Sequence, residues 1–188
     1  MDEQEFLKAL EKKLWKTANT LLPSLDAAVY KHVVLGLVFL KYVSDSFEKR
    51  SAELEVAFSD PNNNYFLGND ADEEIISEEL ENKDYYTEKN IFWVPKAARW
   101  KYLQDNIRLS VGSPMSLGGE FKGAGKLIDD TMELIEKENS KKLKNILNKN
   151  YAQLQIDQTK LADLLDLISS IPFAHESLES KDILGHVY

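Results

Sequence analysis

Two stretches of this chain have residue types and spacings suited to chemistry. One is the glycine-rich GGEFKGAGKLIDD, Gly118 to Asp130, and the other is the lysine-rich SKKLKNILNKN, Ser140 to Asn150. The Gly125-Lys126 pair invites a phosphate-cradling loop, which requires G-x-x-x-x-G-K-[ST] after a buried strand. Glu120 stands where the first glycine belongs, and Leu127 stands where the magnesium-binding hydroxyl belongs, so that reading is rejected. Lys141, Lys142, Lys144 and Lys149, with Lys137 before them, are candidate contacts for nucleic-acid phosphates. The alternative is that they sit near a helix C-terminus and offset its dipole. His32, His175 and His186 share no metal-ligand spacing. His32 lies among apolar residues and is read as a core side chain. The acidic run over 72–81 lacks the 12-residue calcium-loop pattern and reads as a solvated or protein-docking face.

The same glycines form F-x-G-x-G, Phe121 to Gly125, which resembles the cofactor loop of S-adenosylmethionine-dependent methyltransferases. Such a loop needs a strand feeding it, and the preceding GSPMSLGGE is not one. The 63 residues that follow are patterned as helices and are too few for the rest of a doubly wound sheet. The catalytic signature [DNS]-P-P-[YFW] is absent; the nearest segment is Asp60-Pro61-Asn62-Asn63. The segment therefore reads as a turn opening a helix, with no cofactor-binding and no catalytic residue in this chain. Trp93, Trp100 and Tyr102 offer a base-stacking platform on composition alone. Their helical spacing beside Ile, Phe, Val and Leu favours core instead.

The elements that position these residues read as helices. The central one spans Asp26 to Arg50, with nine consecutive uncharged residues from His32 to Leu40. Tyr30, Val33, Val34, Leu37 and Leu40 line one face, and His32, Leu35, Phe39, Tyr42 and Val43 another. A helix apolar on two faces is wrapped by others. Nine residues are too few for a bilayer, which needs about 20. Gly36 costs about 1 kcal/mol relative to Ala mid-helix, which implies close approach of a neighbour. Asp26 is its N-cap, and a polar extension reaches toward Ala57.

Before it, Asp2 to Leu22 is amphipathic on Phe6, Leu10, Leu14, Trp15, Ala18 and Leu21, and Pro23 ends it. DPNNNYFLGND, Asp60 to Asp70, is turn chemistry. Ala71 to Lys83 is a short acidic helix with Ile75, Ile76 and Leu80 on its apolar face. IFWVP, Ile91 to Pro95, is extended, and Pro95 opens the helix KAARWKYLQDNIRL. Ser110 to Gly119 is a flexible connection. Gly125 to Asn139 is a helix with Leu127, Ile128, Met132 and Ile135 inward. Asp157 caps the last well-patterned helix, with Leu161, Leu164, Leu165 and Ile168 inward. The expected fold is all-α: one multi-helix domain over 1–188 around a buried central helix at about 27–50, with at most trivial β content.

Composition sets the outer bounds. Hydrophobic residues at 43 % and charged residues at 29 % describe a globular chain, not a disordered one. There is no cysteine, which excludes disulfides and thiolate metal sites and fits a cytoplasmic location. The first residues carry no signal-peptide pattern. A net charge of −9 argues against nucleic acid, but its distribution matters more than the sum, because a nearly neutral remainder can still present a basic surface. Glu53 to Asp84 holds 11 acidic residues and one basic residue, leaving the rest of the chain at +1.

Four segments in order, LWKTANTLLPSLDAAVYKHVVLGLVFLKYVSDSFEKR, NIFWVPKAARWKYL, GKLIDDTMELIEKEN, and KLADLLDLISSI followed by SKDILGHVY, resemble one family. It is the N-terminal helical domain of the modification (M, HsdM-type) subunit of type I restriction–modification systems. The resemblance implies a non-catalytic domain of an adenine-N6 DNA methyltransferase that helps clamp DNA and assemble the complex. The implied partners are double-stranded DNA, a specificity subunit, a second M subunit and the restriction subunit. S-adenosylmethionine is expected for the full-length parent and no cofactor for this chain. The competing reading is a stand-alone helical interaction module with an acidic docking face.

Overall fold

The chain folds around the stretch from Asp26 to Ser59. The structure is a computed structural model that describes residues 3–21 and 23–171. The Asp26 carboxylate accepts from the Ala28 amide at 2.9 Å and starts helix α2, Ala27–Ser59. Capping satisfies an amide that a helix start leaves without a partner. α2 is buried almost without a break from Val33 to Ser44, and then along one face through Phe47, Arg50, Leu54, Ala57 and Phe58. Its 33 residues make it long and apolar enough to cross a membrane by length and composition. The nine-residue uncharged run, too short for a bilayer by itself, is only part of this helix. What opposes a membrane role is burial: 61 % of the helix's apolar window lies inside the protein.

The wrapping elements are helices. They are α1, Glu3–Leu21; α3, Glu73–Glu79; α4, Asp84–Thr87; α5, Trp100–Asn106; α6, Ala124–Glu138; α7, Ser140–Leu143; and α8, Gln158–Ser169. α1, α4, α5 and α8 pack on α2, while α6 packs on α7, α8 and a 3-10 turn at Lys96–Ala98. Among the described residues there is no strand, and the only β feature is one isolated bridge, Pro114 to Glu120. The all-α expectation holds. Leu10 and Leu14 of α1 are buried, and Trp15 meets Tyr30 edge-on at 5.6 Å. The Phe6, Ala18 and Leu21 side chains of the predicted stripe lie outside the described residues, as do the SKDILGHVY segment, His175 and His186.

Gly36 is needed for close approach, but the approaching group is a hydroxyl. A Cβ at Gly36 would collide with the Tyr151 Oη and lie 3.3 Å from Met132 Cε of α6. The Tyr151 hydroxyl donates to the Val33 carbonyl at 2.8 Å, bonding α2 to the turn before α8.

The helix expected from Pro95 to Leu109 is broken at Arg99, which is extended with ψ 145°. Arg99 is held there by Val94 nearby and by Glu81 and Phe47 from farther along the chain. The Arg99 guanidinium donates to the Val94 carbonyl at 3.2 Å and to Glu81 at 3.0 Å, and lies 4.6 Å from the Phe47 ring centre. Phe47 stacks on Tyr86 at 4.5 Å and meets Trp93 edge-on at 5.4 Å. Trp93 and Trp100 are each 5 % exposed and Tyr102 is half-buried, so the tryptophans are core and present no stacking platform. The 110–119 connection is tied, not loose. Gly112 and Phe121 are linked by an amide-to-carbonyl bond at 2.8 Å, and Phe121 to Ser113 by another at 2.8 Å.

Candidate nucleic-acid interface

The lysine-rich stretch is shaped by Asn139, where α6 ends with φ −126° and ψ 36°. The Asn139 side chain accepts from the Trp93 amide at 3.0 Å and donates to the Trp93 carbonyl at 2.9 Å. It thereby mimics a strand partner at Trp93 and satisfies both backbone groups of that buried residue. α7 makes one turn and stops at Lys144, and Asn145 then takes a positive φ of 59°. Leu143 and Leu147 are buried and hold the stretch to the core, leaving Lys141, Lys142 and Lys144 exposed.

The four predicted lysines do not behave alike. Lys149 is drawn inward: its Nζ lies 2.8 Å from Glu133 and 2.9 Å from Glu136. The hydrogen bond to Glu133, reinforced by Glu136, raises the Lys149 pKa, and the same bond lowers that of Glu133. Both groups are therefore charged at neutral pH. Lys142 leans toward the Phe92 ring, 5.7 Å from its centre, with Nζ 3.5 Å from the Asn90 side-chain oxygen, the outer limit of a hydrogen bond. Lys141 and Lys144 join Lys137 and Ser140 around an open hollow of about 400 Å³, whose wall also holds Glu133 and Glu136. Lys137, Lys141 and Lys144 form no ion pair among the described residues. Charge clustering located this surface. It could not show that Lys149 is committed to carboxylates one helix upstream; Glu133 and Glu136, three residues apart on α6, were the available signal.

The glycine-rich segment opens a helix, as its flanking sequence suggested. Gly123 sits at φ 112° just before α6, and Phe121 is fully buried. Gly125 is pressed against another backbone: a Cβ there would stand 2.9 Å from the N and Cα of Ala152. Asp129, one turn on, accepts from the Tyr151 amide at 2.9 Å and the Ala152 amide at 3.0 Å. An open hollow of about 270 Å³ lies beside Phe121, and the Lys126 on its wall is paired with Asp130 at 2.6 Å.

His32 is not a core residue. It is exposed on the first turns of α2, beside a small hollow of about 80 Å³ shared with Asn148, Asn150 and Tyr151. The packing that buries α2 begins one residue later, at Val33. Among the described residues no group of three or more His, Asp and Glu is placed to hold a metal.

Residues 10–171 match the family model of the HsdM N-terminal domain. A type I restriction enzyme MjaIX methylase subunit from Methanocaldococcus jannaschii is 32 % identical over 187 residues, covering 100 % of this chain and 31 % of that protein. A type I restriction enzyme HindI methylase subunit from Haemophilus influenzae is 39 % identical over 104 residues, covering 50 % of this chain and 23 % of that protein. The chain thus spans less than a third of the length of these relatives. The match over residues 10–171 and the 32 % identity over the whole chain agree: the chain belongs to the HsdM N-terminal domain family of type I restriction enzyme methylase subunits.

Proposed function

We propose that residues 1–188 act as the helical DNA-clamp and assembly domain of a type I adenine-N6 DNA methyltransferase. The observation that carries this is the family match over residues 10–171, on a fold that gathers Lys137, Lys141 and Lys144 around one open hollow. In this reading the face carrying Lys141, Lys142, Lys144 and Lys149 lies toward the backbone of double-stranded DNA. The acidic α3 surface, where Glu73, Glu74 and Glu78 are exposed beside a 47 % exposed Ile75, is assigned to protein contact. Specificity, second M and restriction subunits are the partners, in the cytoplasm. Methyl transfer from S-adenosylmethionine belongs to the whole subunit. The target adenine must leave the duplex for that chemistry, so a clamp beside the catalytic part has a physical purpose.

The test is a titration of the chain with mixed-sequence duplex DNA across a range of salt. Weak binding that is indifferent to sequence and falls steeply with salt is expected, because backbone contact releases counterions. Tight, sequence-selective binding by this chain alone would overturn the assignment, since it leaves base readout to another subunit.

A further inference from the structure

We propose that Lys137, Lys141 and Lys144 form the seat for successive phosphates of one DNA strand, and that Lys149 supports this seat by neutralising Glu133 and Glu136, not by touching DNA. The inference rests on the DNA-clamp reading and refines it to residues.

The three lysines follow an i, i+4, i+7 spacing that crosses the break at Asn139, and the tied turn still brings them to one hollow with Ser140. Ser140 adds a neutral hydroxyl-bearing residue to the lining of the same hollow. Lys142 takes a different direction, toward Asn90 and Phe92. The wall of the hollow also holds Glu133 and Glu136, and a bare pair of carboxylates there would repel phosphate and capture the neighbouring lysines. Lys149 prevents both by binding the two at 2.8 and 2.9 Å. Glu136 leaves no alternative for this job: it is 8 % exposed, its Oε1 accepts from Lys149, and its Oε2 is buried without a hydrogen bond among the described residues. Lys149 is thus a positioning residue, and Lys137 replaces it as a contact.

The experiment measures binding of the 188-residue chain to a mixed-sequence duplex by fluorescence anisotropy at several salt concentrations. Lys137→Ala, Lys141→Ala and Lys144→Ala should each lower the slope of log affinity against log salt by about 0.9, the value for one phosphate contact. Lys149→Met should weaken binding in the native background. It should have no effect on top of Glu133→Gln with Glu136→Gln, where nothing remains to neutralise. Comparing that double variant with and without Lys149→Met decides the question even if Lys149→Met alone folds poorly, because neither protein carries an uncompensated buried carboxylate. An equal loss from Lys149→Met in both backgrounds would make Lys149 a contact and overturn the screening role. Unchanged slopes for the three Ala variants, with native binding intact, would remove the seat and leave the clamp reading standing. No binding by the native chain at any salt would remove both.

Discussion

At the scale of single residues, α2 depends on a missing side chain. Gly36 leaves room for the Tyr151 hydroxyl to reach the Val33 carbonyl. Gly36→Ala gains about 1 kcal/mol of helix propensity. It also forces overpacking worth about 1–3 kcal/mol and disrupts a hydrogen bond worth about 1 kcal/mol. The net expectation is a lower melting temperature. With Tyr151→Phe in place the hydroxyl is gone, and Gly36→Ala should become neutral or mildly stabilising; the double-mutant cycle in thermal melts reads this coupling. Tyr85 gives a pH prediction at the same scale. Its hydroxyl donates to Glu79 at 2.6 Å, and that bond, followed by burial, pushes its pKa up to about 12. A folded-state pKa above the unfolded value means the contribution is complete below the unfolded tyrosine value of 10.0 and is lost as pH rises through about 12. In absorbance titration at 295 nm, the difference between the native protein and Tyr85→Phe should rise near pH 12. A rise near 10 would show that the Glu79 bond is absent in solution.

At the scale of elements, the question is how α6 holds the turn that carries Tyr151. Gly125 admits the 151–152 backbone and Asp129 binds its amides. Gly125→Ala should cost about 1–3 kcal/mol, because the clash is with backbone and no rotamer relieves it. Asp129→Ala strands the amide of the buried Tyr151, with a cost of about 1–3 kcal/mol, and should speed hydrogen exchange at that amide. Asp129→Asn keeps one acceptor and should be milder. This pairing also shows what the sequence could disclose. Asp26 and Asp157 were legible as caps because each binds an amide two or three residues ahead. The break at Arg99 was not legible, because Val94, Glu81 and Phe47 hold it from three different elements or connections. His32 was misplaced for a related reason: periodicity finds a face but not where the covering helices stop. Lysine clustering found the candidate surface, while the carboxylates that sequester Lys149 lie upstream on α6 and become neighbours only through the turn at Asn139.

At the scale of the whole molecule, the charge partition sets the terms for any approach to DNA. The net charge is −9, yet the excess lies in Glu53 to Asp84, which holds 11 acidic residues against one basic residue. The two regions also touch: Lys83, the one cation of the acidic stretch, pairs with Glu138 at the end of α6. The acidic face therefore opposes DNA through its long-range field while the lysine hollow offers local contact, and salt separates the two terms. The Debye length is about 30 Å at 0.01 M and about 8 Å at 0.15 M. Glu73, Glu74 and Glu78 are exposed and form no ion pair among the described residues, so changing all three to Gln removes field without removing a contact. The triple variant should bind duplex DNA more tightly than the native chain at low salt, and the two curves should converge by about 0.15 M. A gain that persisted undiminished at that salt would place α3 against the DNA itself and contradict its assignment to protein contact.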